Sequence, residues 1–439
     1  MILNIMWFKK KSIKRKVTVV GCGKLGLPLV AVLSKAGHQV VGFDLNAALI
    51  ASLAAGTVPW FEESLERLLR KNSKRIRFTS DPKEAFMEAE FVLVIVPSPS
   101  KTSGEFDSQY VESAVMSVIR ESEESKRKRI FIIIVSTLMP GSTEQLVEKI
   151  KVTYPSKASN FELIYSPEFI ALGSVVKDMT FPDLVLVGAS DRRAALQYSD
   201  LVHSYIKSTP HVAFLSTQEA EIAKIAVNSF VTTKISFANF ISELCEASGN
   251  ASASKVLNSI GMDSRIGRKY LKPGAPFGGP CFPRDNIALE TYANTVGVSA
   301  SIANSTRVIN QRQSQRIANF VKRFSELKHV TLVGVAYKPG TAVTEESPSL
   351  SIADLLSKDC DVSLFDDYVF TDGREESRQV ISRESIGNRP RCVVLMVPDP
   401  NYRDIPALLH SESIIIDLWG DWEKIITQPS IKYFRLGDN

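Results

Sequence analysis

The stretch from Lys16 to Asp44 limits the possible folds more than any other part of this chain. It reads as an apolar strand at 16–20, the turn Gly21-Cys22-Gly23-Lys24-Leu25-Gly26, a helix at 27–36, and a second strand, Val40-Val41-Gly42-Phe43, that ends on Asp44. A lone G-x-G-x-x-G is a weak signal, but strand, glycine turn, helix, strand and terminal acid in this order specify a dinucleotide-binding βαβ unit. The glycines permit a tight turn and close approach of the backbone to a pyrophosphate, which rests on the helix N-terminus. An acid at the end of the second strand accepts hydrogen bonds from the adenosine ribose hydroxyls and repels a 2′-phosphate, so Asp44 favours NAD over NADP.

Further strands are expected at 91–96 and 130–135. Each ends in a loop at the carboxyl edge, where such sheets bind ligands: Pro97-Ser98-Pro99 and Ser136-Thr137-Leu138-Met139-Pro140-Gly141. The expected cofactor-binding set is therefore Gly21, Gly23, Lys24, Leu25, Gly26, Asp44, Pro97, Ser98 and Thr137. Apolar runs at 163–165 and 184–187 complete the first domain, giving an N-terminal tail at 1–15 and an NAD-binding Rossmann domain at 16–205. From Gln218 to Ser248 the pattern is helical without a proline, and Lys224 and Asn228 lie one turn apart on one face. A helix at 252–261 follows, so residues 206–310 read as a central helical region whose long helix is equally a homodimer interface or a buried connector between the two sheet domains. After a helix at 307–327, strands at 329–336, 361–365, 392–397 and 414–417 build a smaller sheet without a glycine-rich turn, in a C-terminal α/β domain at 311–439. The fold class is α/β, with two Rossmann-like doubly wound sheet domains joined by a long central helix.

Bulk properties agree with this division. A chain of 439 residues is too long for one core, and 44% hydrophobic with 23% charged residues is the balance of a soluble globular protein. Five widely spaced cysteines, odd in number and without a C-x-x-C pair, point to neither a disulfide framework nor a metal site, and fit a reducing cytoplasm. The apolar start Met1–Phe8 is far shorter than the roughly 20 residues of a membrane span, and lysines follow it where a signal peptide has them in front. It reads as a tail, with no membrane insertion. A formal charge of +5, scattered apart from 9–16 and 126–129, suits a phosphorylated metabolite better than nucleic acid.

The chemistry concentrates at Phe277-Gly278-Gly279-Pro280-Cys281-Phe282-Pro283-Arg284-Asp285-Asn286, which sets one thiol in a glycine/proline turn with a carboxylate four residues on. Two glycines and two prolines display that thiol on a rigid loop, whereas Cys245, in an amphipathic helical run, reads as an inert small hydrophobe. With Val96-Pro97-Ser98-Pro99, Ser136-Thr137, Ser166-Pro167-Glu168-Phe169, Lys224 with Asn228, Arg265-Ile266-Gly267 and Tyr337-Lys338-Pro339, the chain resembles the UDP-glucose/GDP-mannose dehydrogenase family of nucleotide-sugar 6-dehydrogenases.

That resemblance implies a four-electron oxidation of a sugar C6 alcohol to a carboxylate with two NAD in succession, most closely UDP-glucose to UDP-glucuronate for a surface polysaccharide. It implies Cys281 as the nucleophile that forms a thiohemiacetal and then a thioester, Asp285 as the group taking a proton through an ordered water, and Lys224 and Asn228 as oxyanion stabilisers. Glu168, beside a water held by Thr137, becomes the base for thioester hydrolysis. Substrate contacts are implied for Glu168, Phe169, Lys224, Asn228, Arg265, Tyr270, Lys272, Phe277, Gly278, Tyr337 and Lys338, with Arg265 reaching the substrate of a neighbouring subunit in a homodimer. The chain departs from the family pattern at Leu172, which stands for a Glu, and at Glu345, which stands for an Arg that helps hold NAD. It departs again at Ala342-Val343 in place of an acidic pair, at Arg284 for Lys, at Pro280 for Ser, and at Trp419 in an Asp-Gly-Arg stretch. These departures keep two rivals in view: a dehydrogenase for a UDP-N-acetylhexosamine or another nucleotide sugar, and a nucleotide-sugar-binding protein without turnover.

Overall fold

A computed structural model of the chain describes residues 13–122, 129–324, 326–369 and 379–438. The apolar start, residues 9–12 of the basic run 9–16 and residues 126–128 of the second basic cluster lie outside the described residues. Two compact units, Met1–Lys224 and Ile225–Asn439, divide the chain.

The first unit is built on strands β1 (Lys16–Val20), β2 (Gln39–Phe43), β3 (Ile76–Thr79), β4 (Phe91–Val94), β5 (Ile130–Ile134), β6 (Phe161–Tyr165), β7 (Leu184–Ala189) and β8 (His211–Leu215). They form one sheet in the order β3-β2-β1-β4-β5-β6-β7-β8. All neighbours are parallel except β6 and β7. The central strands are apolar, Phe91-Val92-Leu93-Val94 and Ile130-Phe131-Ile132-Ile133-Ile134 being buried at every position, because a parallel sheet is covered on both faces. The period of two divides each strand between two cores: Val17, Val19 and Leu93 join one cluster, and Val20, Val92 and Val94 the other. Strand order reverses between β1 and β4, the crevice at which doubly wound sheets bind ligands. The sequence pattern marks six strands and closes this domain near residue 205; the sheet takes two more, β3, which pairs parallel with β2, and β8, whose run His211-Val212-Ala213-Phe214-Leu215 pairs parallel with β7.

The second unit carries a six-stranded, all-parallel sheet in the order β11-β10-β9-β12-β13-β14. Its strands are β9 (His329–Val333), β10 (Asp361–Phe365), β11 (Gln379–Val380), β12 (Cys392–Leu395), β13 (Ile414–Asp417) and β14 (Lys432–Arg435). The strand expected to reach residue 336 stops at Val333, because Gly334 adopts φ +93° and a side chain there would strike Val397. Five helices position the functional residues: α1 (Gly26–Lys35), α2 (Ser142–Thr153), α3 (Thr217–Ser248), α4 (Phe282–Thr295) and α5 (Ser301–Lys322). The fold is thus α/β, with one mostly parallel sheet, one wholly parallel sheet and a long helix, α3, in keeping with the sequence pattern.

Candidate active site

Each glycine of the first turn has its own steric reason. Gly21 sits at φ +96°, donates its N–H to the Phe43 carbonyl over 2.8 Å, and would place a Cβ 2.4 Å from the Ile95 oxygen. A Cβ at Gly26 would lie 1.8 Å from the Gly21 oxygen, so only glycine lets α1 pack so closely on β1. Gly23 is the opposite case: nothing lies within 4 Å of its Cβ position, and the backbone is open to a pyrophosphate. Asp44 closes the cradle at the end of β2. Its carboxylate accepts from the Cys22 N–H at 2.8 Å and from the Asn46 N–H at 2.9 Å, which fixes the acid against the glycine turn. Burial and the Asp44 charge together push the Cys22 thiol far up, so it stays neutral. Open backbone, helix N-terminus and anchored acid fit NAD. Lys24 is exposed and Leu25 is the N-cap of α1; Pro97 and Ser98 follow β4, and the half-buried Thr137 follows β5.

Beyond β6, the unit gathers a second group. Lys224, buried on α3, donates its Nζ to the Glu168 carbonyl oxygen over 2.6 Å and stands 4.5 Å from the centre of the Phe169 ring. Glu168 lines a small internal cavity with Ser166, Tyr198 and Tyr205. Its packed surroundings raise the carboxyl to about 7, against the pull of the Lys224 ammonium. Leu172, where the family pattern has an acid, packs against the first core.

In the second unit, Cys281 is the N-cap of α4. The Asp285 N–H closes the first turn on the Cys281 carbonyl at 2.9 Å, with Pro283 in that turn. The thiol is exposed, at the amide end of a helix where the dipole favours negative charge. Asp285 is buried; Asn228 on α3 donates its Nδ2 to Asp285 Oδ2 over 2.6 Å, and Arg284 Nε lies 3.8 Å from Oδ1. A second tie, from Asn286 Nδ2 to Thr232 Oγ1 at 2.6 Å, fastens α4 to α3. Lys224 and Asn228 therefore occupy successive turns of α3, the first engaged by Glu168 and the second by Asp285.

The loop before Cys281 is held by residues that sequence reasoning did not single out. Asn310 on α5 brackets Phe277, accepting its N–H at 2.8 Å and donating to its carbonyl at 2.9 Å. Gln313 donates to the Gly274 carbonyl, and the Gly274 N–H donates to Asn239 on α3. Polar residues at buried helix positions were the available signal. Close packing explains the loop's glycines: a Cβ at Gly278 would meet the Glu346 oxygen at 2.0 Å, and one at Gly279 the Tyr337 ring at 2.3 Å. Burial and the nearby Cys281 thiol push the Tyr337 hydroxyl up to about 12.

The remaining candidates lie on the surface of the second unit. Arg265 is exposed and paired with Asp263, Tyr270 adopts φ +61°, and Lys272 pairs with Asp421 at 2.7 Å. Such an exposed pair is worth about 1 kcal/mol or less. Lys338 is half-buried and Glu345 exposed in the segment after β9. The Trp419 ring covers Gly274 and donates its Nε1 to the Met396 carbonyl.

Comparison with known proteins places this architecture. The NAD-binding, central and UDP-binding domains of the UDP-glucose/GDP-mannose dehydrogenase family match residues 15–206, 218–312 and 331–424. The chain is 31% identical to UDP-glucose 6-dehydrogenase TuaD of Bacillus subtilis, covering 78% of this chain and 74% of that protein. It is 30% identical to GDP-mannose 6-dehydrogenase of Azotobacter vinelandii, over 81% of each. A solved UDP-glucose dehydrogenase from Pyrobaculum islandicum superimposes with a TM-score of 0.86 at 26% identity, covering 99% of this chain and 100% of that one.

Proposed function

We propose, from the premise that this chain belongs to the UDP-glucose/GDP-mannose dehydrogenase family, that it oxidises UDP-glucose to UDP-glucuronate. As an NAD-dependent nucleotide-sugar 6-dehydrogenase it needs a nucleophile that keeps a reactive aldehyde from escaping. The observation that carries the reading is Cys281 at the N-terminus of α4 with Asn228 and Asp285 joined beside it. The choice of UDP-glucose rests on the names of its relatives and on Phe277-Gly278-Gly279 and Cys281-Phe282-Pro283, which look like the UDP-glucose branch.

NAD, when bound, accepts one hydride in each of two oxidations. Asp285 takes the proton of the C6 hydroxyl through a water, while Lys224 and Asn228 stabilise negative charge on that oxygen. The Cys281 thiolate then adds to the aldehyde carbon; a carbon–sulfur bond forms and the oxygen takes up a proton, giving a thiohemiacetal. Loss of that proton and of the second hydride leaves a thioester. A water held by Thr137 attacks it, Glu168 accepts the water's proton, the carbon–sulfur bond breaks, and Cys281 is restored as the carboxylate leaves. A carboxyl titrating at about 7 is well matched to that last step.

The working form is a homodimer in a thiol-reducing cytoplasm. Phe230, Phe237, Phe240 and Leu244, spaced i, i+7, i+10, i+14 on α3, are all exposed, and a second copy would bury them. The uronate product suits a charged surface polysaccharide. Trp419 and Leu172, placed where the family pattern has polar residues, support a second reading in which the sugar is an N-acetylhexosamine.

NADH absorbance with limiting nucleotide sugar separates the readings. Two NADH per UDP-glucose, with little from UDP-N-acetylglucosamine, UDP-N-acetylmannosamine or GDP-mannose, is expected. Turnover of another sugar alone would move the specificity, and UDP-glucose binding without any NADH would overturn the assignment of an active enzyme.

A further inference from the structure

The helix α2 begins without a cap of its own. Its N-cap is Gly141, at φ +89°, which has no side chain to accept the first amides of the helix. The acceptor comes instead from α3. Glu221 is wholly buried, and its carboxylate accepts from the Gly141 N–H at 2.6 Å, the Thr143 N–H at 2.9 Å and the Thr143 hydroxyl at 2.6 Å. A buried carboxylate is costly unless hydrogen-bonded, and three donors at a helix N-terminus are a setting that offsets the cost. Thr217 on α3 adds a hydroxyl contact to Glu144 at 3.3 Å.

What Glu221 holds is the carboxyl-edge loop after β5, residues 136–141, in which Thr137 lies. The other end of that loop is fixed separately, by Ser136, whose hydroxyl donates to the Val96 carbonyl at 2.6 Å and accepts the Val96 N–H at 3.0 Å. Thr137 is thus suspended between two anchors, and the second belongs to the helix that carries Lys224. Glu221, Lys224 and Asn228 are spaced i, i+3, i+7 along α3. One helix face therefore indexes the Thr137 loop through Glu221 and the Glu168 segment through Lys224.

We propose that Glu221 is a positioning residue of the reaction: by capping α2 from α3 it sets Thr137 in register with Lys224 and Glu168, and so serves the hydrolysis of the Cys281 thioester. This rests on the roles given above to Thr137 and Glu168. The Glu221→Gln substitution keeps the shape but turns a donor toward one of the donors it must accept. With NAD and UDP-glucose, the variant should lose about 10-fold to 100-fold in kcat, the scale of an ångström-sized misplacement, with both KM values within about twofold of wild type. Intact-mass measurement should show the acyl group accumulating on Cys281, and hydrogen exchange should show faster exchange of the Gly141 and Thr143 amides. Thr143→Val, which keeps the amide and loses only the hydroxyl, should show a loss of a few fold with the same pattern, and it carries the test if Glu221→Gln does not fold. Wild-type kcat in folded variants, or a loss confined to KM without the acyl-enzyme, would overturn the positioning role. Silence of the wild-type protein across the nucleotide sugars would instead sink the functional reading, and unchanged amide exchange would sink the clamp.

Discussion

At the residue scale, the cysteines differ in exposure as their sequence surroundings lead one to expect. Cys22, Cys245 and Cys392 are buried and Cys281 is exposed at a helix N-terminus. Burial pushes the Cys392 thiol up to about 12 and Cys22 further still. Iodoacetamide near neutral pH should therefore alkylate Cys281 first, with loss of uronate formation in step, and Cys281→Ser should abolish net oxidation to the acid. Labelling of another cysteine at the rate of inactivation would contradict the assignment. Glu168 makes a different demand, on stability. Its carboxyl is raised from 4.5 to about 7 by burial, so the folded state binds a proton more tightly than the unfolded state. The stability it lends is complete below about pH 4.5 and is lost as pH rises through 7. Relative to wild type, Glu168→Gln should gain about 3 kcal/mol between pH 4.5 and pH 8 in denaturant titrations, even as it stops turnover. A flat difference across that range would show that the carboxyl titrates normally.

At the scale of elements, α3 does three jobs, two on one face and the third on the other. Its first turns anchor the Thr137 loop and the Glu168 segment, its middle ties down α4 through Asn228 and Thr232, and it leaves Phe230, Phe237, Phe240 and Leu244 exposed. The exposure of that last face supports the proposed dimer. A charge introduced there, as in Phe237→Asp, should halve the mass measured by light scattering while leaving the far-ultraviolet circular dichroism unchanged. A dimer of wild-type affinity would place the contact elsewhere. Arg265 gives this a catalytic consequence: if it serves the neighbouring site, the monomeric variant should lose activity beyond any loss of stability.

At the scale of the whole molecule, ligand binding adds to stability by mass action. NAD at about 100 times its Kd should stabilise the protein by roughly 2.7 kcal/mol. Gly23→Val should remove that gain without changing the stability of the protein alone, since a side chain there meets no protein atom but fills the pyrophosphate's space. A retained NAD shift would move the cofactor to another site. The amino-acid sequence by itself determined the first βαβ unit, the positions of most strands along the chain, the long helix and the Cys281 loop. Each is a local matter, of hydrophobic period, glycine conformation and residues adjacent in the chain. The edges were less legible: β8 extends the sheet past residue 205, and the helix expected at 307–327 runs instead from Ser301 to Lys322. Such boundaries are set by which neighbours a segment finds. Tertiary structure alone decided the supports of the site. Glu221 caps a helix about 80 residues away, Asn310 holds Phe277 from α5, and Gly279 is a glycine because the Tyr337 ring lies against it. A local pattern can at most mark such residues as polar and cannot name their partners, because a buried polar side chain takes its meaning from the donor or acceptor that the folded chain brings to it.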